Sequence, residues 1–172
     1  MANKQSEVTG KVILIGPPGV GKTSILNKLV YNDFKFQTTV TEKPENYLYT
    51  KDLGDKNLKL ALWDTAGQEK FRAVSRQYYR NANAAFIVVS IEDPQAEKQI
   101  SDWSREVHKY AGDVKKCILI NKSDLPQDKH AVDDEMIENI KQEQECECYK
   151  VSAREGHNIQ EAIDYIIDQI KV

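Results

Sequence analysis

The sequence has few cysteines and no long apolar run. Three cysteines among 172 residues are too few for a disulfide framework. Cys146 and Cys148 are only two positions apart, which is unfavourable for a bridge or a zinc site. No apolar stretch approaches the roughly 20 residues of a membrane-spanning helix. These absences indicate reduced thiols and a cytoplasmic protein.

An excess of one charge is also lacking. The net charge is −3, which disfavours a general nucleic-acid or membrane-surface binder. The N-terminus lacks an apolar signal region and a second-position glycine, and the C-terminus lacks a cysteine for a prenyl group. The length predicts one domain over residues 1–172, with residues 1–9 as a flexible N-terminal extension.

Apolar runs alternate with helical patterns, which is typical of βαβ units in a mainly parallel sheet. Buried strands are predicted at Lys11–Ile15, Ala84–Val89, Lys116–Ile120 and Cys148–Val151. Two further segments, Tyr47–Leu53 and Leu58–Asp64, alternate apolar and polar residues around the turn sequence 54–57. This pattern predicts an antiparallel hairpin.

Two helix starts carry recognisable signals. Asp93 followed by Pro94 predicts an N-cap and first helical residue, with the helix running to about Tyr110. Asn158 and Glu161 resemble a capping box at the start of the last helix.

The segment Gly16–Thr23 has the pattern of a phosphate-binding loop, G-x-x-x-x-G-K-[ST], between an apolar strand and a helical segment. Backbone N–H groups in this pattern converge on phosphate oxygens at a helix N-terminus. The Lys22 ammonium is expected on the β- and γ-phosphates, where it also assists catalysis, and the Thr23 hydroxyl on Mg²⁺. The predicted phosphate-binding residues of this segment are Gly19, Val20, Gly21, Lys22, Thr23 and Ser24.

The next motif runs from Asp64 to Gln68 and begins at the end of an apolar strand. The Asp64 carboxylate is expected to hold Mg²⁺ through water. Gly67 permits its backbone N–H to approach a γ-phosphate. Gln68 is then in position to orient an attacking water, which makes it the second predicted catalytic residue.

The motif Asn121-Lys122-Ser123-Asp124 follows another apolar strand. A carboxylate accepts hydrogen bonds only, and guanine offers N1–H and N2–H₂ donors side by side. Adenine has an acceptor at N1 and no N2 amine. Asp124 is therefore predicted to favour GTP over ATP.

Together these motifs resemble those of Ras-superfamily small GTPases, and the segments 63–72 and 78–80 are most similar to the Rab branch. The resemblance implies an α/β P-loop NTPase fold with a six-stranded, mostly parallel sheet, one antiparallel edge strand and about five helices. It also implies a GTP/GDP cycle with Mg²⁺, slow hydrolysis and a role in vesicle traffic. The guanine-binding residues that it implies are Phe34, Asn121, Lys122, Asp124, Ser152, Ala153 and Arg154.

The resemblance further implies an exchange factor, a GTPase-activating protein (GAP) and effectors as partners, with no nucleic acid. Contact with the cytosolic face of an endomembrane would need a lipidated tail that this chain does not carry. The segment 39–44 lacks the threonine–isoleucine–glycine of a Rab effector loop, so the switch threonine on Mg²⁺ is ambiguous. Thr38, Thr39 and Thr41 all compete for this role. Local sequence favours Thr39, but the spacing from Thr23 and Trp63 favours Thr41, which is therefore the residue predicted to bind Mg²⁺ in the GTP state.

Two alternative functions stay open at this point. One is a nucleotide-bound interaction module with little hydrolysis or switching, which the unusual loop and Pro18 would suit. The other is a P-loop kinase or ATPase, against which Asp124 argues.

Overall fold

Six strands form one sheet in the order β2-β3-β1-β4-β5-β6 in a computed structural model that describes residues 6–34, 46–65 and 76–170. The strands are β1 (Ser6–Ile15), β2 (Asn46–Asp52), β3 (Lys56–Asp64), β4 (Ala84–Ser90), β5 (Lys115–Asn121) and β6 (Cys148–Lys150). The helices in those ranges are α1 (Lys22–Tyr31), α2 (Arg76–Tyr79), α3 (Ala96–Ala111), α4 (Asp134–Gln144) and α5 (Ile159–Gln169).

The strand directions confirm the predicted sheet. β1, β3, β4, β5 and β6 are parallel, and the edge strand β2 pairs antiparallel with β3 as the predicted hairpin. Parallel strands place their carboxyl ends at one edge, where open α/β sheets bind ligands. The loops after Ile15, Asp64, Ser90, Asn121 and Lys150 all start from this edge.

Two apolar cores cover the two faces of the sheet. Residues of α1 and α5, such as Ile25 and Ile163, pack on one face. Residues of α3 and α4, such as Ile100 and Ile137, pack on the other. Trp103 of α3 is partly buried and packs against the edge of this second core.

The structure corrects the predicted start of β1. Residues 6–9 belong to this strand rather than to a flexible extension over residues 1–9. Ser6 to Gly10 pair in register with Lys56 to Leu60 of β3. Sequence alone missed this because the strand begins with polar, partly exposed residues before its buried apolar run.

The structure also corrects the start of α3 and the capping of α5. α3 begins at Ala96, because Asp93 Oδ1 accepts a hydrogen bond from the Gln95 N–H and closes a turn before the helix. Asn158 does precede α5, but it has a left-handed φ of 56° and makes no side-chain cap. Its amide donates instead to the Lys150 carbonyl, so the capping box is absent.

The described parts of the chain contain no helix with the length and apolar character to cross a bilayer.

Candidate functional site

The loop from Gly16 to Gly21 passes so close to its neighbours that two glycines are required. A Cβ on Gly16 would lie 2.0 Å from the carbonyl oxygen of Val88 in β4. A Cβ on Gly21 would lie 2.3 Å from Asn121 Nδ2. Both residues also have positive φ, 150° and 98°, which L side chains rarely adopt. The loop therefore packs directly against β4 at Gly16 and against β5 at Gly21.

Lys22 starts α1 and directs its side chain back over this loop. The residue is 2% exposed, and Nζ donates hydrogen bonds to the carbonyl oxygens of Gly16 at 2.9 Å and Pro17 at 2.7 Å. A buried ammonium needs such polar partners. Gly21 caps α1 without a side-chain bond, and the positive end of a helix dipole attracts anions. A cation and a helix N-terminus therefore meet at this loop.

Thr23 and Asp64 bring two oxygen atoms together beside the loop. The Thr23 hydroxyl donates to Asp64 Oδ2 at 2.5 Å, and Asp64 is fully buried at the end of β3. A hydroxyl that donates its hydrogen keeps its lone pairs, and hard oxygen donors are the ligands that Mg²⁺ prefers. The residues present therefore fit Mg²⁺. In the described ranges no three His, Cys, Asp or Glu side chains form a metal cluster.

Asn121 connects three of the motifs by its side chain. The residue is 3% exposed; Nδ2 donates to the Val20 carbonyl oxygen at 2.9 Å, and Oδ1 accepts from the Ala153 N–H at 3.1 Å. A buried amide that satisfies both ends in this way fixes its neighbours relative to each other. The loops that begin at Gly16 and at Val151 are thus held against the end of β5.

Asp124 is held in place by the last motif. Ser152, itself fully buried, donates from Oγ to Asp124 Oδ1 at 2.7 Å. Arg154, which is half exposed, has a guanidinium nitrogen 4.0 Å from Asp124 Oδ2. The Asp124 side chain is only 11% exposed. Ser152 therefore orients a mostly buried carboxylate whose second oxygen faces Arg154.

Lys122 has a partner that the sequence did not reveal. Its Nζ donates to Glu92 Oε1 at 2.8 Å, although 30 positions separate the two residues. Glu92 follows the end of β4, and it also accepts a hydrogen bond from Ser90 Oγ at 3.2 Å. No motif marks Glu92, because its role depends on the pairing of β4 with β5.

The remaining predicted residues are placed less informatively. Phe34 is partly buried against the core beneath α1 and α5, and Ser24 is buried in the first turn of α1. Thr41, Thr39, Gly67 and Gln68 lie outside the described residues.

Replacing Gly21 with alanine should loosen the site. The new methyl would displace the Asn121 amide, and the left-handed backbone would be strained by about 1–3 kcal/mol. We expect at least about tenfold faster dissociation of a bound nucleotide, because the amide holds two loops. Gly54→Ala is the matched control, since Gly54 has a similar φ of 88° with nothing within 4 Å of its Cβ. Dissociation of fluorescent GDP at the wild-type rate from Gly21→Ala would contradict this account.

Comparison with known proteins is consistent with the geometry. The model of the Ras family matches residues 11–172. The Ras-related protein Rab-10 of Diplobatis ommata is 35% identical over 173 residues, covering 99% of this chain and 85% of the relative. RABA3 of Arabidopsis thaliana is 35% identical over 93% of this chain and 68% of its own length. Rab-15 of Mus musculus is 32% identical over 97% and 79%.

Proposed function

Because this chain belongs to the Ras family of small GTPases, we propose that it is a Rab-like switch that binds GTP or GDP with Mg²⁺ and slowly hydrolyses GTP. The observation that carries the proposal is the Asn121 side chain, which joins Val20 of the phosphate loop to Ala153 of the base loop. Such a link arranges the phosphate and base subsites before a nucleotide arrives, which lowers the entropy cost of binding.

At the phosphate end, the loop residues 19–24 surround the phosphates with N–H groups, and Lys22 transfers its donors from the loop carbonyls to phosphate oxygens. Thr23, Thr41 and, through water, Asp64 would hold Mg²⁺. When bound, the ion supplies positive charge that neutralises the phosphate oxygens. The short bond from Thr23 to Asp64 supports the metal-binding roles of these two residues, because it places both oxygens beside the loop.

At the base end, Asp124 accepts the guanine N1–H and N2–H₂ donors. Ser152 occupies one lone pair of this carboxylate, so the carboxylate keeps one orientation. Ala153 offers its backbone N–H toward the base. Arg154 and Phe34 cover the guanine from its two sides.

Hydrolysis needs little more than positioning. The Gly67 N–H would contact the γ-phosphate, and Gln68 would orient the attacking water. Phosphoryl transfer of this kind relies on alignment and charge stabilisation, and Ras itself turns over at only on the order of 10⁻⁴ s⁻¹ unaided. We therefore assign the fast reaction to a GAP that supplies an arginine, which accelerates Ras by about 10⁵-fold.

The chain would act as a single G domain, and its GTP/GDP cycle would regulate intracellular membrane traffic. An exchange factor opens the site, effectors bind the GTP state, and a GAP ends it. The similarity to proteins named Rab-10 and Rab-15 supports this role. Residence on the cytosolic face of an endomembrane would require a lipidated tail.

The switching part of the proposal predicts a difference between two threonines. Thr41→Ala should weaken a fluorescent GTP analogue by about tenfold and leave GDP nearly unchanged, because only the GTP state orders this loop on the γ-phosphate and the ion. Thr39→Ala is the matched control and should be mild. EDTA should accelerate nucleotide release from all three proteins. The reverse ranking would move the site to Thr39; an EDTA-insensitive wild type would contradict the Mg²⁺ assignment.

A further inference from the structure

We propose that Glu92 is a positioning residue for guanine-nucleotide binding, and that it acts by holding the side chain of Lys122. The inference rests on the proposed function, because Lys122 matters in this way only if its motif binds the nucleotide. It assigns a role to a residue that lies outside all four motifs.

The contact is well defined on both sides. Lys122 Nζ lies 2.8 Å from Glu92 Oε1, and the two side chains are 36% and 44% exposed. The same carboxylate oxygen accepts from Ser90 Oγ at 3.2 Å. The hydrogen bond from Lys122 lowers the pKa of Glu92, so the carboxylate is charged at neutral pH. Lys129 lies close enough to lower it further, although Lys122 provides the larger effect.

The backbone around Glu92 is fixed to the same motif. The N–H of Ile91, a fully buried residue, donates to the carbonyl oxygen of Asn121 at 2.9 Å. The Ile91 carbonyl oxygen in turn accepts from the N–H groups of Ala131 at 2.8 Å and Val132 at 3.1 Å. Glu92 is therefore carried by a clamped peptide immediately beside the strand end that precedes Lys122.

The position and the flexibility of Lys122 explain why restricting its side chain would favour nucleotide binding. The residue lies between Asn121 and Asp124 and has a left-handed φ of 67°. The chain therefore turns at Lys122, directly after the end of β5. A lysine side chain has many rotamers, and it loses this freedom when it packs along a ligand. An ion pair that restricts the side chain beforehand removes part of that entropy cost from nucleotide binding.

The test compares GDP dissociation from five proteins: wild type, Glu92→Gln, Lys122→Met, the double variant and a control, Glu7→Gln. The control breaks the pair between Lys59 Nζ and Glu7 Oε2 at 2.6 Å, with exposures of 42% and 51% that nearly match those of the proposed pair. Glu7 and Lys59 lie in β1 and β3, toward the opposite edge of the sheet from the site. Urea unfolding of each protein reports any general loss of stability.

We expect Glu92→Gln to release fluorescent GDP about two- to fivefold faster than wild type, the range of a partly exposed ion pair. Glu7→Gln should release GDP at the wild-type rate. In the Lys122→Met background, Glu92→Gln should add no further acceleration, because its partner is gone. If Glu92 only stabilised the fold, the effects of Glu92→Gln and Lys122→Met on the GDP release rate would be additive. Glu7→Gln would then also release GDP faster than wild type.

Three results would overturn the inference. They are a wild-type release rate in Glu92→Gln, equal acceleration in Glu7→Gln, and an undiminished effect of Glu92→Gln without Lys122. In each case a wild type that retains GDP leaves the proposed function standing. A wild type that binds no guanine nucleotide would overturn both proposals at once.

Discussion

Replacing Asp124 with asparagine is expected to lower the affinity for GTP and GDP at least about a hundredfold. In the proposed site this carboxylate would accept two charge-assisted hydrogen bonds from guanine, each worth about 1.5–3 kcal/mol. The amide would offer a donor toward the guanine N1–H or N2–H₂ donors. Xanthine has a carbonyl at C2, so the same amide suits it, and the variant should gain affinity for xanthosine triphosphate.

Competition binding with GTP, ATP and xanthosine triphosphate measures this exchange of specificity. The gain of xanthine binding serves as the internal control, because an unfolded variant would gain nothing. Since the Ser152 hydroxyl also donates to Asp124, Ser152→Ala should weaken GTP binding without conferring xanthine binding. A wild type that prefers ATP, or an Asp124→Asn variant with unchanged preference, would contradict the assignment of Asp124.

Lys22→Ala should lower the affinity for both GDP and GTP about a hundredfold, because the proposed role of the ammonium is to make charge-assisted bonds to phosphates that both nucleotides carry. The variant also leaves the carbonyl oxygens of Gly16 and Pro17 without their observed donor. Thr23→Asn should act differently, because it removes the hydroxyl that is bonded to Asp64 and proposed to bind Mg²⁺. We expect this variant to lose more affinity for GTP than for GDP. Titration calorimetry with both nucleotides separates the two patterns.

Lys116→Ala is the control for the loss of a partly buried lysine. Its Nζ donates to Ser104 Oγ at 2.7 Å near the start of β5, away from the nucleotide edge. This variant should keep wild-type affinity for GDP even if its stability falls. Wild-type affinity for both nucleotides in Lys22→Ala would remove the phosphate-loop assignment.

The fold could be predicted largely from local sequence. Buried strands such as Ala84–Val89 can be predicted from continuous apolar runs, because parallel strands are covered on both faces. The hairpin was visible because β2 and β3 alternate apolar and polar residues around a turn. The start of β1 was not visible, since pairing with β3 rather than apolar side chains orders residues 6–10.

Helix starts were less predictable because a capping residue has alternative partners. Asp93 binds the Gln95 N–H in a turn, and its other oxygen accepts from Gln99 Nε2, so the helix begins later. Asn158 donates to Lys150 instead of capping α5. Local patterns favour one partner, and tertiary contacts select another.

In the candidate site, too, local motifs could be predicted from the sequence and tertiary contacts could not. Lys22 and Asp124 could be proposed from the sequence because their motifs follow predicted strands. The link from Asn121 to Val20 and Ala153 depends on loops that meet only after the sheet forms. Glu92 could not be found from a pattern, because the order of strands β4 and β5 creates its contact with Lys122.

We propose that the chain is a guanine-nucleotide switch with its own hydrolytic residue, Gln68. Single-turnover cleavage of bound GTP by the wild type and by Gln68→Leu, with ATP as the nucleotide control, tests it most directly. We predict slow cleavage of GTP by the wild type, at least about tenfold slower cleavage by the variant at equal GTP affinity, and none of ATP. Equal cleavage in both proteins, or no cleavage of GTP by either, would contradict the account.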